Sequence, residues 1–165
     1  MNGDRLVIAI DGPAGAGKST IAKRVAQILN LEYIDTGAMY RALTLKVISS
    51  GIDSTDVESI INLIQSTSIT FKENKIYLDG TRVDDEIRKN IVNNHVSNIA
   101  KIKEVRDEMV TIQQELAKES NMIMDGRDIG TVVLPNANYK FYIIATVEER
   151  AKRRYKELIG KGEED

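Results

Sequence analysis

The sequence predicts an α/β fold: a parallel sheet with helices on both faces, carrying an inserted lobe with a small antiparallel sheet. Three observations lead there. An apolar run, Leu6-Val7-Ile8-Ala9-Ile10, is followed by glycines and then by a helical pattern from Ile21 to Leu29. Further short apolar runs alternate with helical patterns along the chain, the signature of βα units. In the middle, two alternating segments flank Glu73-Asn74 and read as an antiparallel hairpin, which a parallel sheet does not use.

The first strand opens onto Gly12-Pro13-Ala14-Gly15-Ala16-Gly17-Lys18-Ser19, followed by Thr20. The spacing fits G-x-x-x-x-G-K-[ST], the phosphate-binding P-loop. Glycines let the backbone approach a phosphate chain closely, and the loop N–H groups and helix N-terminus point at the anion. Lys18 reaches the β/γ-phosphates of a triphosphate and the Ser19 hydroxyl ligates Mg²⁺. Leu31 to Asp35 is the second strand. Thr36-Gly37-Ala38-Met39-Tyr40-Arg41 turns into a helix with Met39, Leu43 and Val47 on one side, ended by Gly51. Ser54 is the expected N-cap of a helix containing Val57, Ile60, Ile61 and Ile64.

Ser68 to Lys72 and Lys75 to Asp79 form the hairpin, and Asp79-Gly80 turns the chain again before Thr81-Arg82-Val83. Ile102, Val105, Met109, Ile112 and Leu116 mark an amphipathic helix, read as core packing rather than a coiled-coil seam. Asn121 to Asp125 and Tyr139 to Ala145 are the third and fourth strands of the main sheet, and Val147 to Ile159 is a basic helix. The expected organisation is a single domain with a core of about residues 1–35 and 110–147, an insert of about 36–110 and a partial lid of about 148–165.

Composition narrows the function. The chain has 165 residues, a net charge of −2 and no cysteine. Disulfides, thiolate metal sites and cysteine nucleophiles are excluded. The charge balance argues against a nucleic-acid partner, and no run reads as a signal peptide or membrane span, so a cytoplasmic protein with no membrane partner is expected. Monomer is the default state.

Ligands of such sheets lie beyond the C-terminal ends of the strands. Asp11-Gly12, Asp35-Thr36-Gly37 and Asp125-Gly126-Arg127-Asp128 all fall there and are expected to share one rim. No N-K-x-D guanine-reading motif is present. Phosphoryl transfer between two anionic molecules needs bridging positive charge, because catalysis rests on positioning and electrostatics. Lys18, Arg41, Arg106, Arg127, Arg150, Arg153 and Arg154 are the candidates, each weighed against the ordinary solvated surface charge.

Taken together, Asp11 to Thr20, Asp35 to Arg41, Asp125 to Val133 and Glu149 to Arg154 resemble the bacterial cytidylate kinases, over the whole chain and in the same order. Thr36-Gly37-x-Met39-x-Arg41 alone is shared with adenylate kinases. The resemblance implies transfer of the γ-phosphoryl group of ATP to CMP or dCMP, with Mg²⁺. It implies that Gly12, Pro13, Ala14, Gly15, Ala16, Gly17, Lys18, Ser19 and Thr20 hold the ATP phosphates. Thr36, Gly37, Tyr40 and Arg41 would hold the acceptor with Arg127 beside them, and Arg150 and Arg154 would close over ATP. Lys18, Arg41, Arg127 and Arg154 would be catalytic, and Asp125 would act on Mg²⁺ through water. It points to Ser97, Arg106 and Asp128 for the cytosine edge, where a carboxylate accepts from N4 and a guanidinium donates to N3 and O2. Uracil would set its O4 acceptor against Asp128, so Asp128→Ala is expected to lose cytosine preference more than ATP affinity.

His95, the single histidine, reads as structural or surface, because a phosphate with a second pKa of about 6 needs no general base. The resemblance also implies a missing C-terminal part, since the family continues past the lid helix. Phe141-Tyr142-Ile143-Ile144 is then expected to be an unprotected apolar sheet edge, and a chain ending at Asp165 is expected to be less stable and nearly inactive. The competing readings are another small-molecule P-loop kinase and a non-catalytic ATP-binding module.

Overall fold

The computed structural model describes residues 5–144 and 147–160. The elements run β1 (Val7–Asp11), α1 (Lys18–Leu29), β2 (Glu32–Asp35), α2 (Thr36–Ser49), α3 (Val57–Gln65), β3 (Ile69–Lys72), β4 (Lys75–Leu78) and β5 (Thr81–Arg82). A short 3-10 turn (Glu86–Arg88) leads into α4 (Asn90–Ala100) and α5 (Lys103–Ala117). Then come β6 (Met122–Gly126), a wide helical turn (Ile129–Val133), β7 (Tyr139–Tyr142) and α6 (Val147–Gly160). The chain divides into two compact units, one up to Tyr33 and resuming at Met122, the other Ile34–Asn121.

The main sheet is ordered β2-β6-β1-β7, and the first unit carries it except for Ile34 and Asp35 at the end of β2. β1 is parallel to both neighbours, with Asp11 level with Gly126 on one side and Tyr142 on the other. Ile8, Ile10 and Ile123 point to one face and pack with Ala22 and Ala26 of α1, and with Leu31 and Tyr33. Two alanines on the buried stripe let the helix lie close to the strands. Gly12 is required by space: a Cβ there would overlap the Ile143 carbonyl oxygen, and its φ of +150° is one that side chains rarely adopt. β7 is last in the strand order, and Tyr139, Phe141, Tyr142 and Ile144 are exposed. The strand stops at Tyr142, short of the predicted Ala145, which lies outside the described residues.

In the second unit α2 buries Met39, Leu43 and Val47, the predicted stripe, and Gly51 follows it at φ +73°. The predicted cap of α3 is wrong by two residues. Asp56, not Ser54, accepts from Ser59 N at 3.3 Å and from the Ser59 hydroxyl at 2.7 Å. The carboxylate immediately before Val57 has the right offset, whereas the Ser54 hydroxyl accepts from Asn98 instead. β3, β4 and β5 form the small antiparallel sheet. Glu73 and Asn74 both have positive φ (53° and 64°), as a two-residue turn of matching twist requires. Lys46 of α2 pairs with Asp79 at 2.7 Å, tying helix to hairpin.

Two further departures from the sequence reading lie in this unit. Helix α4 carries little signal in the sequence: its four asparagines and one serine are weak helix formers, and only Val92 and Ile99 are buried. In α5 the buried line steps by four, through Val105, Met109, Gln113 and Ala117. Ile112 and Leu116, predicted on that stripe, are half-buried. Among the described residues no helix is long and apolar enough to cross a membrane.

Candidate nucleotide-binding and phosphoryl-transfer site

The phosphate loop lies between β1 and α1. Gly15 and Gly17 have φ of +79° and +94°, so both need glycine's freedom to shape the loop. Gly17 is the N-cap of α1; no side chain caps this end and no acidic residue sits in the first turn. An uncapped helix start with no competing carboxylate is suited to an anion. Lys18 Nζ donates to the carbonyl oxygens of Gly12 (2.8 Å) and Pro13 (3.2 Å), folding its ammonium over the loop. Ala14, Ser19 and Thr20 are exposed; Pro13 and Lys18 are partly so, and Ala16 is buried.

The end of β6 supplies the second group of the first unit. Asp125 is 4% exposed, and its Oδ2 accepts from the Tyr33 hydroxyl at 2.8 Å. Arg127 and Asp128, two and three residues on, are exposed. Asp128 is left-handed at φ 56°. After it the wide turn begins, with Val133 N donating to the Asp128 carbonyl (3.1 Å) and Leu134 N to that of Ile129 (2.6 Å). Asp11, at the end of the adjacent β1, accepts from Ile129 N (2.7 Å) and Gly130 N (2.9 Å). Neither the Tyr33 contact nor this use of Asp11 is legible in the sequence: Tyr33 is there a strand residue, and nothing local marks a partner 92 positions away.

The second unit gathers another set. Asp35 caps α2 by accepting from Ala38 N at 3.1 Å, and Arg41 pairs with it at 3.8 Å. Gly37 leaves room for both: a Cβ there would meet Asp35 Oδ1 at 3.2 Å and Arg41 Nη1 at 3.4 Å. Thr36 is buried and Tyr40 half-buried. Burial raises the Tyr40 hydroxyl above its ordinary pKa of 10.0; Arg106 opposes the rise and Asp107 adds to it. Tyr40 of α2 and Arg106 of α5, both predicted substrate residues, therefore lie within electrostatic reach. Arg106 also has a task the sequence did not announce. Its Nη1 donates to the Lys101 carbonyl at 2.7 Å, closing the C-terminal end of α4, a favourable place for a cation. Ser97 is exposed one turn before that end.

His95 Nδ1 lies 2.8 Å from the Ile91 carbonyl of its own helix. On α6 Arg154 is exposed and pairs with Glu157 at 3.4 Å. The side chains of Arg150 and Arg153 lie outside the described residues. Among the described residues no three His, Cys, Asp or Glu are grouped to hold a metal ion. The oxygen donors offered by Ser19 and Asp125 suit a hard cation that keeps water and nucleotide oxygens as its other ligands.

The comparisons bear on the whole chain. A model of the cytidylate kinase family matches residues 8–165. The cytidylate kinase of Clostridioides difficile (strain 630) is 57% identical over 157 residues, covering 95% of this chain and 73% of that protein. That of Alkaliphilus oremlandii (strain OhILAs) is 59% identical over 155 residues, 94% of this chain and 71% of that one. The cytidylate kinase of Caldanaerobacter subterraneus subsp. tengcongensis is 53% identical over 157 residues, 95% and 70% respectively. Among solved structures, shikimate kinase from Acinetobacter baumannii in complex with shikimate aligns over 93% of this chain and 64% of its own, at 17% identity and a TM-score of 0.46. That distant likeness adds nothing to the strand order above. With a family match over nearly its full length and relatives more than half identical, the chain belongs to the cytidylate kinase family.

Proposed function

We propose that this protein transfers the γ-phosphoryl group of ATP to CMP or dCMP, giving ADP and CDP or dCDP. The carrying observation is the phosphate loop at the end of β1, with its uncapped helix start and Lys18, beside the exposed Arg127-Asp128 pair at the end of β6. Gly12 to Thr20 hold the triphosphate, and Lys18 follows the charge that develops on the transferred group. Thr36, Gly37, Tyr40 and Arg41 hold the acceptor phosphate, with Arg127 as a further cation. Ser97, Arg106 and Asp128 read the cytosine edge. Arg150 and Arg154 cover the ATP phosphates from α6.

Ser19 and, through water, Asp125 would hold Mg²⁺. When bound, that ion neutralises charge on the β- and γ-phosphates. The acceptor phosphate is already largely ionised at neutral pH, which fits an assignment with no general base. Monomeric, cytoplasmic operation on small nucleotides completes the reading.

A coupled assay with Mg-ATP against CMP, dCMP, UMP and AMP tests it. Turnover highest with CMP or dCMP is the expected result. Preference for AMP would point to another monophosphate kinase, and ATP binding without turnover on any acceptor would point to a binding module.

A further inference from the structure

Asp11 is a carboxylate placed where polyphosphate is to be bound, and the reaction assigns it nothing. An acid in that position would repel the donor unless its charge were used elsewhere. The structure shows where. Both oxygens accept backbone N–H groups of successive residues, Oδ1 from Ile129 (2.7 Å) and Oδ2 from Gly130 (2.9 Å). Those amides open the wide turn that follows Arg127 and Asp128. Gly130 sits tight in this arrangement: a Cβ there would meet Lys140 Cδ at 3.2 Å and Asp11 Oδ2 at 3.4 Å. The Asp11 carbonyl also accepts from Ile143 N at 2.8 Å. One residue thus joins three segments: the phosphate loop covalently, the Arg127-Asp128 loop through its side chain, and the chain after β7 through its main chain.

We propose that Asp11 is a positioning residue, a two-pronged clamp that fixes the Arg127-Asp128 loop relative to the phosphate loop and thereby sets acceptor selection. The inference rests on the assignment of Asp128 to the acceptor base. Its charge is spent on two backbone dipoles, which draws the carboxylate towards the turn and away from the donor phosphates. A carboxylate can accept both bonds with like geometry. An amide of the same shape keeps one and sets its NH₂ against the other N–H.

Asp11→Asn separates this role from donor binding. Amide hydrogen exchange at Ile129 and Gly130 is expected to quicken by about tenfold or more, since each lost bond opens the turn. The CMP-over-UMP ratio of kcat/KM is expected to fall about tenfold, while the Kd for Mg-ATP changes less than about threefold. The Asp11→Asn/Asp128→Asn double variant is expected to be no less selective than Asp128→Asn alone, because residues acting as one unit do not add. Unchanged exchange at Ile129 and Gly130 overturns the clamp. So does an unchanged CMP-over-UMP ratio in Asp11→Asn when Asp128→Asn lowers it. If Asp128→Asn itself leaves the ratio unchanged, the base assignment falls, and exchange at the two amides still decides the clamp. Should Asp11→Asn not fold, Asp11→Glu takes its place with the same two readouts: it keeps the charge but displaces both oxygens, so faster exchange at Ile129 and Gly130 and a lower CMP-over-UMP ratio are expected, and no change in either overturns the proposal.

Discussion

Asp128 carries its side chain at φ 56°, a conformation that asparagine and aspartate visit more easily than alanine. Asp128→Asn is therefore a cleaner substitution than Asp128→Ala: it changes the acceptor chemistry and leaves the backbone alone. The CMP-over-UMP ratio of kcat/KM is expected to fall about 10- to 100-fold, the scale of one well-placed polar contact to a base edge. The KM for ATP should stay within about twofold. Steady-state kinetics on both acceptors checks this, and an unchanged ratio would remove Asp128 from the base site. Tyr33→Phe deletes one hydroxyl from a buried pair with Asp125. Because the partner is a carboxyl group with 4% exposure, the expected cost is about 1.5–3 kcal/mol in urea denaturation. A cost near zero would mean that the pair adds nothing net. The residue chemistry of the site was largely legible, since glycines, lysine and carboxylates are visible in a string. Their partners were not: the Tyr33 and Asp11 bonds span 92 and 118 positions.

At the scale of elements, a strand, a glycine loop and a helix read correctly because each has a local cause. The two turns around β4 likewise announced themselves in Glu73-Asn74 and Asp79-Gly80, and all four residues take positive φ. Helix α4 did not, because its polar composition hides a stripe of only two buried residues. The junction of β1 and α1 yields a paired prediction. Gly12→Ala would drive a methyl into the Ile143 carbonyl, and is expected to cost about 1–3 kcal/mol or more, as overpacking does. Gly51→Ala has open space around it and only its φ of +73° against it, so about 1 kcal/mol is expected. Thermal or urea melts of the two variants side by side test the distinction, and equal costs would refute the steric account of Gly12.

For the molecule as a whole, acid stability follows from carboxylates in the second unit. Burial pushes the Asp79 carboxyl up, but the Lys46 hydrogen bond and the Ser68 N–H outweigh it and hold it below its ordinary 3.8. Asp53 is held down by the Thr55 hydroxyl and amide. A folded pKa below the unfolded one gives stability that is present above the unfolded value and lost as pH falls through the folded value. Stability should therefore be flat from neutral pH down to about 4–5 and decline below that as these two carboxyls protonate. Asp79→Asn keeps a residue that tolerates φ 49° and should flatten part of that decline. Its cost at pH 7 should stay under about 1 kcal/mol, because the ion pair is partly exposed. Denaturation curves at pH 7 and pH 3 for both proteins decide it; identical pH dependence would exclude Asp79.

Local covalent pattern was enough for much of this protein. Gly12 to Thr20 specified a phosphate loop because glycine conformations, a lysine and a helix start are properties of neighbouring residues. The β-branched and apolar runs specified strands for the same reason, and the alternation of elements specified a parallel sheet. Tertiary structure decided what adjacency in sequence cannot encode. It placed β6 between β2 and β1, so that Asp11 meets the amides of Ile129 and Gly130 and Tyr33 meets Asp125. It gave Arg106 the end of α4 as well as Tyr40 for a neighbour. Hydrogen bonds and charges act over a few ångströms of space, whatever their separation along the chain.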